Sequence, residues 1–219
     1  MQFNYNPKEK IWDLSLRLFH IILILLIIGS IVSAKLNFLY IHELFGTSLL
    51  GLIIFRILWG LIGTHHSRFK NFNLSLSEAL KQFSKKKQRN NVFITKTSLG
   101  SYSTIAFIFI LTILPISGLF SSDDVLYDGP LSYLTPNYTS NWVQVHNFSH
   151  YVLYCLISLH ILAIFYYQIV KKHNLIKRMF GIYYNIDENI NPKKIENPLN
   201  GIFLLLVFII LPFIFLITD

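Results

Sequence analysis

Five stretches of the chain stay apolar long enough to cross about 30 Å of hydrocarbon, which takes roughly 20 helical residues. They run over residues 12–34, 40–63, 98–120, 143–170 and 199–217. The polar connections between them are about 5, 34, 22 and 28 residues long and contain no repeat or low-complexity tract. Runs of this length read as membrane-spanning helices, whose backbone groups are satisfied within each segment. The pattern therefore predicts an all-α integral membrane bundle of four core helices, with a fifth transmembrane helix at the C-terminal end.

Composition agrees. Of 219 residues, 53% are hydrophobic and 14% charged, against about a quarter charged in an ordinary soluble domain. Five spans leave no room for an appended soluble enzyme domain. The formal charge of +8 would raise nucleic acid as a partner of a soluble protein, but its distribution points elsewhere. Basic residues gather in three places: Lys8, Lys10 and Arg17; then Arg68, Lys70, Lys81, Lys85, Lys86, Lys87, Arg89 and Lys96; then Lys171, Lys172, Lys177, Arg178, Lys193 and Lys194. With five spans, these all fall on one side. The other side holds Lys35 with Asp123, Asp124 and Asp128. Because Lys and Arg accumulate in cytoplasmic loops, the N-terminus is expected inside and Asp219 outside. The charge is thus a topology signal, with lipid and not nucleic acid as the partner. A cleaved leader ending near Val32-Ser33-Ala34 is the competing reading of the first span; its length, Arg17 and His20 argue against it. The single cysteine, Cys155, permits neither an internal disulfide nor a covalent C-x-x-C-H haem attachment.

Ionisable residues inside a membrane are costly and mark functional sites by default. His20, His42, His146, with His150 nearby, and His160 all fall within the spans. His146 and His160 are fourteen residues apart, about 21 Å of helical rise and just under four turns, so they share one face. His20 lies about 12 Å along the first span from Trp12, in its inner half, and His42 lies at the outer end of the second. Depth thus sorts the four into His20 with His160 and His42 with His146. Each pair from facing helices is what a b-type haem iron with two axial imidazoles requires. Gly46, one turn after His42, then Gly51, and Gly118 after Pro115 would let a planar macrocycle approach backbone, although small residues also serve helix packing in lipid. His150, one turn from His146, is the alternative outer ligand. His65, His66 and His173 read as loop or headgroup contacts, or as proton-exchange groups.

Several segments resemble the bacterial cytochrome b561 and nickel–iron hydrogenase b-type cytochrome family, related to the cytochrome b subunits of membrane formate dehydrogenases. They are Trp12-Asp13-Leu14-Ser15-Leu16-Arg17-Leu18-Phe19-His20, His42-Glu43-Leu44-Phe45-Gly46, Arg56-Ile57-Leu58-Trp59-Gly60-Leu61-Ile62-Gly63 leading to Ser67-Arg68-Phe69, Pro115-Ile116-Ser117-Gly118-Leu119-Phe120, His146, Ser158-Leu159-His160 and Asn174-Leu175-Ile176-Lys177-Arg178-Met179-Phe180-Gly181. The likeness covers about residues 11–182. It implies a domain over 1–182 holding two non-covalent, bis-histidine b-type haems; the charge and apolar patterns leave a cytoplasmic linker at 183–198 and the extra helix at 199–217. The inner haem iron would take His20 and His160, and the outer one His42 and His146. Arg56 is the position assigned to a haem propionate, since guanidinium pairs well with carboxylate; a snorkelling Arg is the plainer reading.

The resemblance further implies a multi-pass protein of the bacterial inner membrane. It would serve the respiratory chain as an electron-transfer subunit, not a stand-alone catalyst, between quinone or quinol and an outer-side redox protein. A hydrogenase partner would send electrons inward, and a c-type cytochrome would draw them outward. Two departures stand out. Thr97-Ser98-Leu99-Gly100 replaces the Asn-Pro-x-Gly that often opens span three near a quinone site, and the fifth span lies outside the family core. The rivals are a haem-free membrane transporter, which would want its ligands near the midplane, and a cofactor-free subunit that anchors a partner.

Overall fold

The computed structural model describes residues 8–9, 13–65, 67–84, 97–122, 127–172, 175–180, 184–185 and 199–218. Trp12, His66, Asp123, Asp124, His173, Asp219, Lys10, the lysines and arginine of 85–96, Lys193, Lys194 and most of the 183–198 linker lie outside the described residues. The chain folds as a membrane helical bundle. Its helices are α1 (Leu14–Lys35), α2 (Leu39–Ile62), α3 (Leu76–Ser84), α4 (Ser98–Phe120), α5 (Thr139–Ile169), α6 (Leu175–Met179) and α7 (Leu199–Thr218). Four of them, α1, α2, α4 and α5, are long and apolar enough to cross a bilayer.

The boundaries follow local chemistry. Asp13 caps α1, its carboxylate accepting from the Leu16 amide at 2.8 Å, and Thr97 caps α4 through the Gly100 amide at 3.1 Å. The turn from α1 to α2 needs a left-handed residue and places Asn37 there, at φ 58°, a conformation asparagine tolerates better than most. α5 starts at Thr139 after a 3-10 turn over Pro136–Tyr138, four residues before the apolar run predicts, because turn-forming polar residues extend it beyond the hydrocarbon. The long second connection, expected as plain loop, carries α3 and a 3-10 turn at Phe69–Asn71.

Two ends can be distinguished. At one, the start of α1 meets the end of α2, and Lys8–Glu9 pairs antiparallel with Tyr184–Asn185. Here the Tyr102 hydroxyl of α4 donates to the Leu74 carbonyl at 2.6 Å. This is the basic end, carrying Arg56, Arg68 and Lys70. At the far end α1 turns into α2, and the 121–138 loop folds back on α4 through Gly129 N–H to Ser121 O (2.8 Å) and Leu131 N–H to Leu119 O (2.9 Å).

Leu49, Ile53, Ile110, Leu111, Leu114 and Leu153 form a buried cluster joining α2, α4 and α5, with Leu23, Leu26 and Ile27 of α1 packed against it. A second cluster unites Leu16, Leu52, Phe55, Trp59 and Leu205, so α7 lies against α1 and α2. Gly201 permits that approach, since a Cβ there would strike the Ser15 hydroxyl and the Trp59 ring. Large apolar side chains such as Phe109, Phe148, Leu162 and Phe203 face outward. In water such a surface would be an aggregation liability, whereas in lipid it is the ordinary exterior.

Candidate functional site

Leu153 lies on α5 seven residues from both His146 and His160. The buried cluster around it therefore separates two polar centres, one toward each end of the bundle. At the far end, His42 of α2 and His146 of α5 stand with ring centroids 6.1 Å apart and planes at 84°. At the basic end, His20 of α1 and His160 of α5 stand at 6.3 Å and 60°. Each separation leaves room for one metal ion between two imidazole nitrogens, at bonds of about 2.0–2.1 Å to each. His150 does not join either pair; its ring packs on Tyr151 and Tyr154, at 4.1 and 5.4 Å.

The far-end pair is anchored from behind. His42 Nδ1 lies 2.8 Å from the Ser30 carbonyl, and His146 Nδ1 lies 2.9 Å from the Leu114 carbonyl. A carbonyl only accepts, so each Nδ1 carries the proton and each Nε2 keeps its lone pair for a metal. Both carbonyls also accept from a serine three residues on, Ser33 to Ser30 O at 3.1 Å and Ser117 to Leu114 O at 2.9 Å. Gly118 sits against the His146 ring: a Cβ there would come within 3.2 Å of Cε1. Its absent side chain makes room for the imidazole. Beside Gly46 a Cβ would meet nothing within 4 Å, so that flank of His42 is open. Leu39, Ser121, Val143 and Asn147 also line the cavity between the two imidazoles.

One further wall residue carries no signal at the level of sequence. Tyr127, from the far-end loop, lines the same cavity. Burial, and then the nearby Glu43 carboxylate, push its phenol above the ordinary tyrosine range, so it stays neutral at the cavity mouth. The serines behind the imidazoles also went unforeseen, although a hydroxyl within an apolar span is itself a sign of local hydrogen bonding.

At the basic end the polar groups are less completely paired. Arg56 is 3% exposed. Its Nη2 donates to the Ser67 carbonyl at 3.4 Å, and its guanidinium lies 4.8 Å from the Phe69 ring centroid. Its Nη1, with Arg17 Nε and His20 Nδ1, is buried without a hydrogen-bond partner among the described residues. Buried polar atoms are costly unless satisfied. Two unsatisfied guanidinium nitrogens near a histidine pair suit a bound group bearing carboxylates, and a haem, with its two propionates, fits that donor set. The Phe107 ring meets His160 edge-on at 5.5 Å.

Where α4 begins, the departure from Asn-Pro-x-Gly leaves Thr97 capping the helix and hydrogen-bonded to the Tyr167 side chain. Ser98 and Ser101 are fully buried there, their hydroxyls without a partner among the described residues.

No curated relative and no solved structure matches the chain. The family model described as prokaryotic cytochrome b561 matches residues 11–181, a span holding both histidine pairs, Arg56, and the four long apolar helices with the core between them. Such proteins bind b-type haem and transfer electrons in membranes, and by this match the chain belongs to the prokaryotic cytochrome b561 family.

Proposed function

We propose that the chain carries electrons across a bacterial inner membrane between two non-covalent b-type haems, one on His20 and His160 and one on His42 and His146. The observation that carries this reading is the recurrence of one separation, 6.1 and 6.3 Å, at two places on α5 about 21 Å apart along the helix. Haem, when bound, would supply reversible one-electron iron chemistry, and the four histidines would hold it. The residues do the rest. His42 and His146 are held in one tautomer by the Ser30 and Leu114 carbonyls; Arg56 takes a propionate; the Leu49–Ile53–Leu111–Leu153 layer keeps water from between the sites. The two pairs would place such groups about 21 Å apart along α5, most of the roughly 30 Å of hydrocarbon.

In this reading the basic end faces the cytoplasm, following the distribution of Lys and Arg, and α7 is a fifth span. Quinone or quinol is one redox partner and an outer-side protein, such as a hydrogenase or a c-type cytochrome, the other. The protein is then an electron-transfer subunit of an oxidoreductase in the respiratory chain.

The test is a pyridine haemochrome assay with reduced-minus-oxidised spectra on purified protein. Two haems per chain are expected in the wild type. His20→Ala and His160→Ala should each lose one, and His42→Ala and His146→Ala the other, while His150→Ala keeps both. Full haem retention in any of the first four variants overturns that ligand assignment, and absence of a Soret band in the wild type overturns the whole reading.

A further inference from the structure

Asp13 is 2% exposed and does more than cap a helix. Besides the Leu16 amide, its carboxylate accepts from Thr64 Oγ1 at 2.6 Å and from Trp59 Nε1 at 3.3 Å. Thr64 Oγ1 also lies 3.3 Å from Ser67 Oγ, and the Ser67 carbonyl takes the Arg56 guanidinium. A continuous polar path therefore runs from Asp13 through Thr64 and Ser67 to Arg56, and the Asp13 carboxylate lies within electrostatic reach of that guanidinium.

Asp13 is the negative side chain in this path, and the Arg56 guanidinium at its other end is incompletely paired. Three donors exceed what a helix cap needs. A carboxylate held by three donors sits in a poorly screened interior, where its charge acts over several ångströms. A positive charge beside a haem favours the reduced form, which carries one more electron, and a negative charge opposes it.

We propose that Asp13 is a positioning and charge-balancing residue of the basic-end site: it holds Arg56 in place and offsets its charge, lowering the potential of the haem on His20 and His160. This rests on the two-haem reading above and deepens it.

The experiment is spectroelectrochemical titration of the purified holoprotein. Asp13→Asn keeps the shape and the capping oxygen while removing the charge, and should shift the basic-end couple about tenfold toward the reduced form, about 59 mV for one electron. The far-end couple should not move. Asp13→Glu, which keeps the charge, should restore most of the wild-type value. Thr64→Val removes one donor and leaves the carboxylate less neutralised, so it should shift the same couple the opposite way, and it carries the test if Asp13→Asn does not accumulate. A purely structural Asp13 would alter stability or haem content and leave the potential of the bound haem alone. An unchanged basic-end potential in haem-replete Asp13→Asn or Thr64→Val, or an equal shift of both haems, overturns the assignment while leaving two haems standing. A wild type without haem at His20 and His160 overturns the underlying reading too.

Discussion

At the scale of single residues, His42 and His146 differ from His20 in what stands behind the ring. The first two donate Nδ1–H to backbone carbonyls, whereas His20 Nδ1 has no partner among the described residues. The pairing was legible in the sequence because helical rise converts residue number into depth. The anchoring was not, because a backbone carbonyl has no residue type. The preference for His146 over His150 comes from the fourteen-residue spacing and the family resemblance, and in the structure the His150 ring packs on Tyr151 and Tyr154. Glycine supplies the sharpest check. Gly118→Val would drive a branched side chain into the His146 ring, so on the proposed two-haem reading it should lose the far-end haem, while Gly118→Ala should retain it with a broadened signal. Gly46→Leu meets no protein atom at its Cβ. It should leave the thermal stability of haem-depleted protein unchanged yet lower its uptake of added haem, read by Soret titration.

Among the elements, the four long helices came directly from apolar run length, and their ends shifted where polar residues such as Thr139 extend a helix past the hydrocarbon. The α3 helix was not legible, since its short amphipathic pattern sits within a connection of mixed polarity and relies on packing to persist; Ala79 is buried while Leu76 and Leu80 remain exposed. The packing of α7 on α1 and α2 was equally hidden. Every side chain in an apolar helix suits lipid, so the sequence does not single out the face that meets protein. The close approach at Gly201 and the burial of Leu205 now define that face. Gly201→Leu should detach α7, lowering the thermal midpoint by several degrees in differential scanning calorimetry. Because α7 contributes none of the four histidines, the reduced-minus-oxidised spectrum should stay as in wild type.

For the whole molecule, the charge pattern and the ends of the helices agree: the start of α1, the end of α2, the start of α4 and the 184–185 segment gather at one end. Reporter fusions should therefore place residue 90 in the cytoplasm and residue 125 outside. Both reporters on one side would overturn the bundle's polarity. The two sites themselves also bear on how the protein is made. Helix α5 rests along α4 and meets the α1–α2 half at its middle, through Leu153, with a histidine pair on either side of that contact. Cofactor seated at both places would bolt α5 down at two further points. Loading would then reinforce the docking that Leu153 begins, and a cell short of haem would synthesise a chain whose fourth span is held less firmly and is more open to membrane proteases. If both pairs hold haem as proposed, filled protein would outlast unfilled protein, so its abundance in haem-limited cells should track haem supply even with transcription held constant.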